Sequence, residues 1–208
     1  MSKLMFYEVD REYIEFLTHV DDKVPKIDYS VTGGHEKFLC GIVLAVNGFN
    51  YFAPISSFNI PQRTNYIILS ESGKAVSSIR FSFMIPIPPG VAAVKNIAAE
   101  PSIQYRRLLE QEWRFCVKNS DEIHRRARAI YNIVVNRENE FISKNCCDFK
   151  ALEAACAEYA KAHPAKEQPA TELGKPSVHD AILADREAKR NQPPKPPAPD
   201  KGKDDPAR

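Results

Sequence analysis

The chain has 208 residues, 43% of them hydrophobic, and a formal net charge of +2, so it is long enough to bury a proper core and too close to neutral for its overall charge to name a partner. No apolar run reaches the roughly 18 residues of a membrane-spanning helix, and residues 1–10 lack the apolar stretch and small-residue cleavage site of a secretory signal. Five cysteines, odd in number and without a C-x-x-C pair, point to reduced thiols in a cytoplasmic protein and away from a structural zinc.

In chain order, residues 4–9 read as a first strand. Asp10 then caps a helix to about Val20, with Tyr13, Ile14, Phe16 and Leu17 as its apolar stripe. Residues 26–36 form a polar loop containing Tyr29, Gly33, Gly34 and His35; loops of that length inside compact domains are usually functional or disordered. A hairpin follows. Lys37 opens it, residues 38–46 are almost continuously apolar, and Asn47 with Gly48 supplies the two positive-φ positions of a type I′ turn. The second arm is expected to stop at Pro54, which cannot donate to a ladder. Just beyond lie two adjacent hydroxyls, Ser56 and Ser57. A rigid hairpin with polar groups at its exit is a good platform for chemistry, although serines also simply begin turns. Residues 65–69 and 79–85 read as two more strands, the second with Ile79, Phe81, Phe83 and Ile85 inward.

The second half is helical. Ser102 opens a helix with Tyr105, Leu108, Leu109, Trp113 and Cys116 on one face. Asn119 and Glu122 resemble a capping box for the next helix, in which Ile123, Ala127, Ile130, Tyr131 and Val134 face inward. Asp148 is expected to cap a last helix to about His163. Residues 101–137 hold eight Arg/Lys against four acids, and Arg106, Arg107, Arg114, Lys118, Arg125 and Arg128 of that set, with Arg63 upstream, are candidate nucleic-acid contacts. An ordinary solvated helix face has the same composition. Residues 164–208 turn rich in Pro, Lys, Ala and acids without aromatics, and are expected to form a flexible tail after a domain spanning 1–163.

Several short stretches, in order and at consistent spacing, carry a family resemblance. They are Phe6 with Tyr7; Tyr13, Ile14 and Glu15; residues 21–25; 37–44; 51–57; 83–87; 105–109; 119–121; and Cys147, Asp148 and Phe149. Together they resemble the ToxN/AbiQ family, the endoribonuclease toxins of type III toxin–antitoxin systems, over about residues 4–160. The resemblance implies an α+β fold: a compact, strongly bent antiparallel sheet or barrel like the Kid/MazF toxins, with packed helices. It also implies RNA cleavage without a metal or cofactor, leaving a 2′,3′-cyclic phosphate and a 5′-hydroxyl. The implied partners are cellular or phage RNA and an inhibiting RNA antitoxin of pseudoknot repeats, assembled with the toxin into closed rings, with phage defence as a role.

Carried over residue by residue, the resemblance makes Tyr29 the loop tyrosine, Lys37 the lysine before the hairpin, and Ser56 with Ser57 the hydroxyl pair of the catalytic region. The family's second lysine is replaced by Asn59, so either another cation, Arg63 or Lys37, supplies its charge or activity is weakened or tuned. These residue types suit the chemistry. RNA brings its own nucleophile, the 2′-hydroxyl, so the protein has to orient it and stabilise charge on the phosphorane. His35 and His124 are further acid–base candidates. The alternative from another class is a non-catalytic RNA-binding module, which tolerates the loss of a lysine.

Overall fold

Around the hairpin the chain builds a curled antiparallel sheet with helices packed against it, and the computed structural model describes residues 4–26 and 39–164 of this fold. Tyr29, His35, Lys37 and residues 165–208 of the expected tail lie outside the described residues. The strands are β1 (Phe6–Val9), β2 (Leu39–Val46), β3 (Phe49–Ser56), β4 (Asn65–Leu69), β5 (Ala75–Arg80), β6 (Ile85–Pro86) and β7 (Ala92–Val94). Their order is β4-β5-β3-β2-β1-β7, with β6 also paired to β3. The helices are α1 (Arg11–Val20), α2 (Ile103–Lys118), α3 (Ser120–Val135), α4 (Glu140–Asn145) and α5 (Phe149–Ala162).

The expected bent sheet is present, and its bend starts in the hairpin. Asn47 (φ 51°) and Gly48 (φ 81°) make the tight turn. The β2–β3 register slips twice, between Cys40 and Ile42 and between Ile42 and Leu44. Each extra residue raises the local twist and curls the strand pair. Gly41 falls in the first slip, and its N–H donates to the Met5 carbonyl at 2.6 Å. A Cβ there would come within 2.5 Å of that carbonyl oxygen and 2.9 Å of the Tyr7 ring. Since a backbone atom cannot swing aside, Gly41→Ala is expected to lose roughly 1–3 kcal/mol of stability, read as a lower urea midpoint.

The helices close over the sheet. Tyr13 and Leu17 of α1 and Phe149, Leu152 and Tyr159 of α5 are buried together, with the Tyr13 and Tyr159 rings edge-to-face at 4.7 Å. The Tyr13 hydroxyl donates to the Pro86 carbonyl at 2.7 Å. A polar cluster pins the hairpin to α3 and α5. The Glu153 carboxylate accepts from Tyr51 (3.0 Å), Tyr131 (2.6 Å) and Lys150 (2.8 Å), and Asn47 at the turn donates to the Tyr131 hydroxyl at 3.0 Å. Burial, followed by the Glu153 charge, pushes the Tyr51 hydroxyl far above its ordinary pKa, so it stays a donor.

Four local expectations need correction. β3 runs through Pro54 to Ser56. Pro54 is tolerated because the neighbouring strand steps away there: β5 pairs with Ile55 and Ser56, β6 with Tyr51 and Phe52, and a 3-10 turn (Phe81–Phe83) lies between. For the same reason residues 79–85 are not one strand, and Phe83 is only half-buried. Asn119 stands at the N-cap position of α3, but its side chain makes no capping bond there. Its amide donates to the Phe115 carbonyl at the end of α2 (2.8 Å), and its oxygen receives the Tyr66 hydroxyl (3.4 Å). Finally, α4 and β7, both too short for periodicity to reveal, were not anticipated. The cap at Asp148 holds: its carboxylate accepts from the N–H groups of Lys150 and Ala151 at 3.1 Å.

Candidate active site

At the exit of β3, Ser56 stands opposite Ser78 of β5. Strand alternation puts Ser56, Ser78 and Arg80 on one face. Ile79, paired with Tyr66, points to the other, where Tyr66 meets Phe115 of α2 at 5.6 Å. After Ser57 the chain folds back over the Ser56 face. The Phe58 N–H donates to Ser56 Oγ at 3.2 Å, and Ser78 Oγ donates to the Phe58 carbonyl at 2.5 Å. Further on, the Asn59 amide donates to the Ala75 carbonyl (3.3 Å). Asn65, 2% exposed, donates to the Ile60 carbonyl (3.0 Å) and accepts from the Gln62 N–H (2.9 Å). Residues 57–64 are therefore a fixed rim, not a loose connection.

The two serines differ. Ser56 is committed to the turn by its bond from Phe58. Ser57 is exposed and makes no hydrogen bond to any described residue, so its hydroxyl is available. Arg63 is exposed on the same rim. Asn59 is neutral and tied to the backbone.

Arg80 belongs to this site and was missed in the sequence. Its guanidinium carbon lies 4.8 Å from the centroids of both the Phe58 and Phe83 rings. Its Nε is buried without a hydrogen-bond partner, and no carboxylate among the described residues pairs with it. Burial lowers its pKa from the usual guanidinium value, with no neighbouring charge to offset the fall. One signal was available: a lone arginine two residues past Ser78, just where a strand of Ser and Ile gives way to Phe.

The basic helices lie elsewhere, since α2 and α3 cover the Tyr66 face of β4. Arg106 donates to the Ala98 carbonyl at 3.3 Å, and Arg114 lies between Glu71 (3.5 Å) and Glu110 (3.8 Å). Arg125 grips Glu122 with two bonds of 2.7 Å, and Arg126 shares that carboxylate while stacking 4.5 Å from the Tyr66 ring. Hydrogen bonds from Arg125 and Arg126 hold the Glu122 carboxyl down to about 2. Exposed Arg107, Lys118 and Arg128 have no ion pair with any described residue. Arg107, Arg114 and Lys118, at i, i+7 and i+11, form one stripe along α2. Among the described residues, no group of three or more His, Cys, Asp or Glu side chains is arranged to hold a metal ion, and no helix is long and apolar enough to cross a membrane.

Residues 5–157 match the family model described as toxin ToxN of type III toxin–antitoxin systems. The chain belongs to this family. Among curated ToxN relatives, the endoribonuclease ToxN of Pectobacterium atrosepticum is 29% identical over 167 residues, covering 76% of this chain and 95% of its own length. The endoribonuclease ToxN of Bacillus thuringiensis subsp. kurstaki is 27% identical over 175 residues, covering 78% of this chain and 88% of its own. A solved structure, reported for selective toxin inhibition by a non-coding RNA pseudoknot in type III systems, superposes with a TM-score of 0.69 at 26% identity. That superposition covers 77% of this chain and 99% of the other.

Proposed function

We propose that this chain is an endoribonuclease toxin that cleaves RNA at the exit of β3 and is held inactive by a pseudoknot-repeat RNA antitoxin in closed toxin–RNA rings. The observation that carries the reading is the family match over residues 5–157, joined to a rigid strand exit that presents the free hydroxyl of Ser57. In this reaction the RNA 2′-oxygen loses its proton and attacks the adjacent phosphorus. The P–O5′ bond breaks, the 5′-oxygen takes up a proton, and the products carry a 2′,3′-cyclic phosphate and a 5′-hydroxyl. The nucleophile belongs to the substrate, so the protein's task is alignment and charge stabilisation, which requires no metal.

Ser57 then hydrogen-bonds the reacting phosphate, Ser56 shapes the turn that presents it, and Arg63 draws the RNA backbone to the rim. Lys37 and Tyr29, which lie outside the described residues, are assigned to charge neutralisation and base stacking on sequence grounds. Multi-turnover cleavage in excess EDTA, with analysis of product ends, tests the reading. Tight RNA binding without cleavage would favour the non-catalytic module instead.

For the antitoxin we assign the α2 stripe and Arg128, because these cations are exposed and Arg107, Lys118 and Arg128 are uncommitted. Reversing Arg107 and Lys118 to glutamate is expected to weaken binding of a folded antitoxin RNA and to flatten its salt dependence by roughly one unit per lost phosphate contact. Cleavage of a short unstructured RNA should change little. Filter binding at several salt concentrations checks this; slopes equal to wild type would mark the stripe as merely a wet surface.

A further inference from the structure

Among the described residues, Arg80 stands apart from Arg63 and from the arginines of α2 and α3. Arg114, Arg125 and Arg126 have carboxylates, while Arg107, Arg128 and Arg63 are exposed to water. Arg80 is half-buried, flanked by two aromatic rings, with Nε dry and unpartnered. A desolvated charge without a counter-ion is costly, so a fold that retains one is prepared for an anion that arrives from outside. Phe58, which flanks the guanidinium, is the residue immediately after Ser57, and its backbone is bound by both Ser56 and Ser78. The cation, at the end of β5, thus packs against the turn that carries the free hydroxyl.

We propose that Arg80 is a catalytic residue that holds the phosphodiester being cleaved, its terminal N–H edge donating to the non-bridging oxygens. This rests on the reading of the chain as an RNA-cleaving enzyme. The flanking rings hold the guanidinium in place, and an incoming phosphate would be met by its terminal N–H groups rather than by the buried Nε. A phosphorane carries more negative charge than the phosphodiester it forms from, so a fixed cation in a poorly hydrated site stabilises the transition state more than the bound substrate. Neutral Asn59 cannot do this, and Arg63 has no comparable anchoring.

The competing role is a clamp that merely staples Phe58 to the sheet. Arg80→Met keeps apolar packing between the rings, and Arg80→Lys keeps the charge but loses the planar fork. For the whole protein we would measure single-turnover cleavage of a short unstructured RNA in EDTA, the salt dependence of binding a 2′-O-methyl copy of it, and the thermal midpoint. Arg80→Met is expected to lose about 10²–10³-fold in rate with a flattened salt slope, by roughly 0.7 for one phosphate on a single strand. Arg80→Lys should keep the slope and recover at least about tenfold of that rate while staying below wild type. A folded Arg80→Met that cleaves at the wild-type rate would overturn the proposal, as would a loss that follows the thermal midpoint and is not recovered by lysine. Should Arg80→Met fail to fold, Arg80→Lys decides alone: a wild-type rate would overturn the role. Wild-type protein that leaves RNA intact would instead overturn the RNA-cleaving reading itself.

Discussion

Ser57→Ala is expected to lower the single-turnover rate of RNA cleavage by at least about 100-fold and to abolish growth arrest, while folding and RNA affinity stay near wild type. Removing one positioned hydrogen-bond donor from developing charge typically costs about 10²–10³ in rate. Stability should not change, because Ser57 is exposed and bonded to no described residue. Ser56→Ala is the contrasting control. It removes the acceptor for the Phe58 N–H, so its effect should reach the thermal midpoint as well as the rate. The comparison needs cleavage in EDTA, binding to a 2′-O-methyl RNA, and thermal unfolding for all three proteins. Growth arrest and cleavage equal to wild type from well-expressed Ser57→Ala would remove the β3 exit from the chemistry.

Glu112→Gln is expected to raise stability at pH 8 and to erase a pH dependence the native protein should show. Glu112 sits in α2 at 3% exposure, and burial pushes its carboxyl up to about 7. In the unfolded chain the group titrates near 4.5. Below that pH it is protonated in both states and contributes nothing. Between about 4.5 and 7 the folded state holds the extra proton, so stability falls as pH rises, and above 7 the full cost is present. The shift corresponds to about 3 kcal/mol. A neutral amide of the same shape removes that cost, although its two N–H donors must find partners, so a gain on the order of 5 °C in thermal midpoint at pH 8 is expected. At pH 4 the two proteins should differ little. Equal midpoints across pH 4–8 would show that Glu112 ionises without penalty.

Much of the architecture was legible in the sequence because it is local. A positive-φ pair at Asn47 and Gly48, caps at Asp10, Ser102 and Asp148, and a 3.6-residue stripe such as Ile123, Ala127, Ile130 and Tyr131 each depend on residues within a few positions of one another. The order and spacing of the short family-like stretches did the same for the family. What failed were places where the decision lies across the fold. Pro54 stays in β3 only because a 3-10 turn draws the neighbouring strand away from it, and that turn is set by β5 and β6 together. Asn119 has the right spacing for a capping box, yet Tyr66 and Phe115 compete for its amide and win.

The same division runs through the site. Ser56 and Ser57 could be picked out as neighbours in the chain, but only the turn back over β5 separates a committed hydroxyl from a free one. The arginines of α2 and α3 were visible as a charge excess. Their individual value was not, since Glu122 and Glu71 spend several of them on ion pairs. For Arg80 the sequence offered only its place two residues past Ser78 and nothing of its environment. A guanidinium becomes special when water and carboxylates are kept from it, and here that is done by Phe58 and Phe83, rings from two separate segments that meet only when β3 and β5 pair.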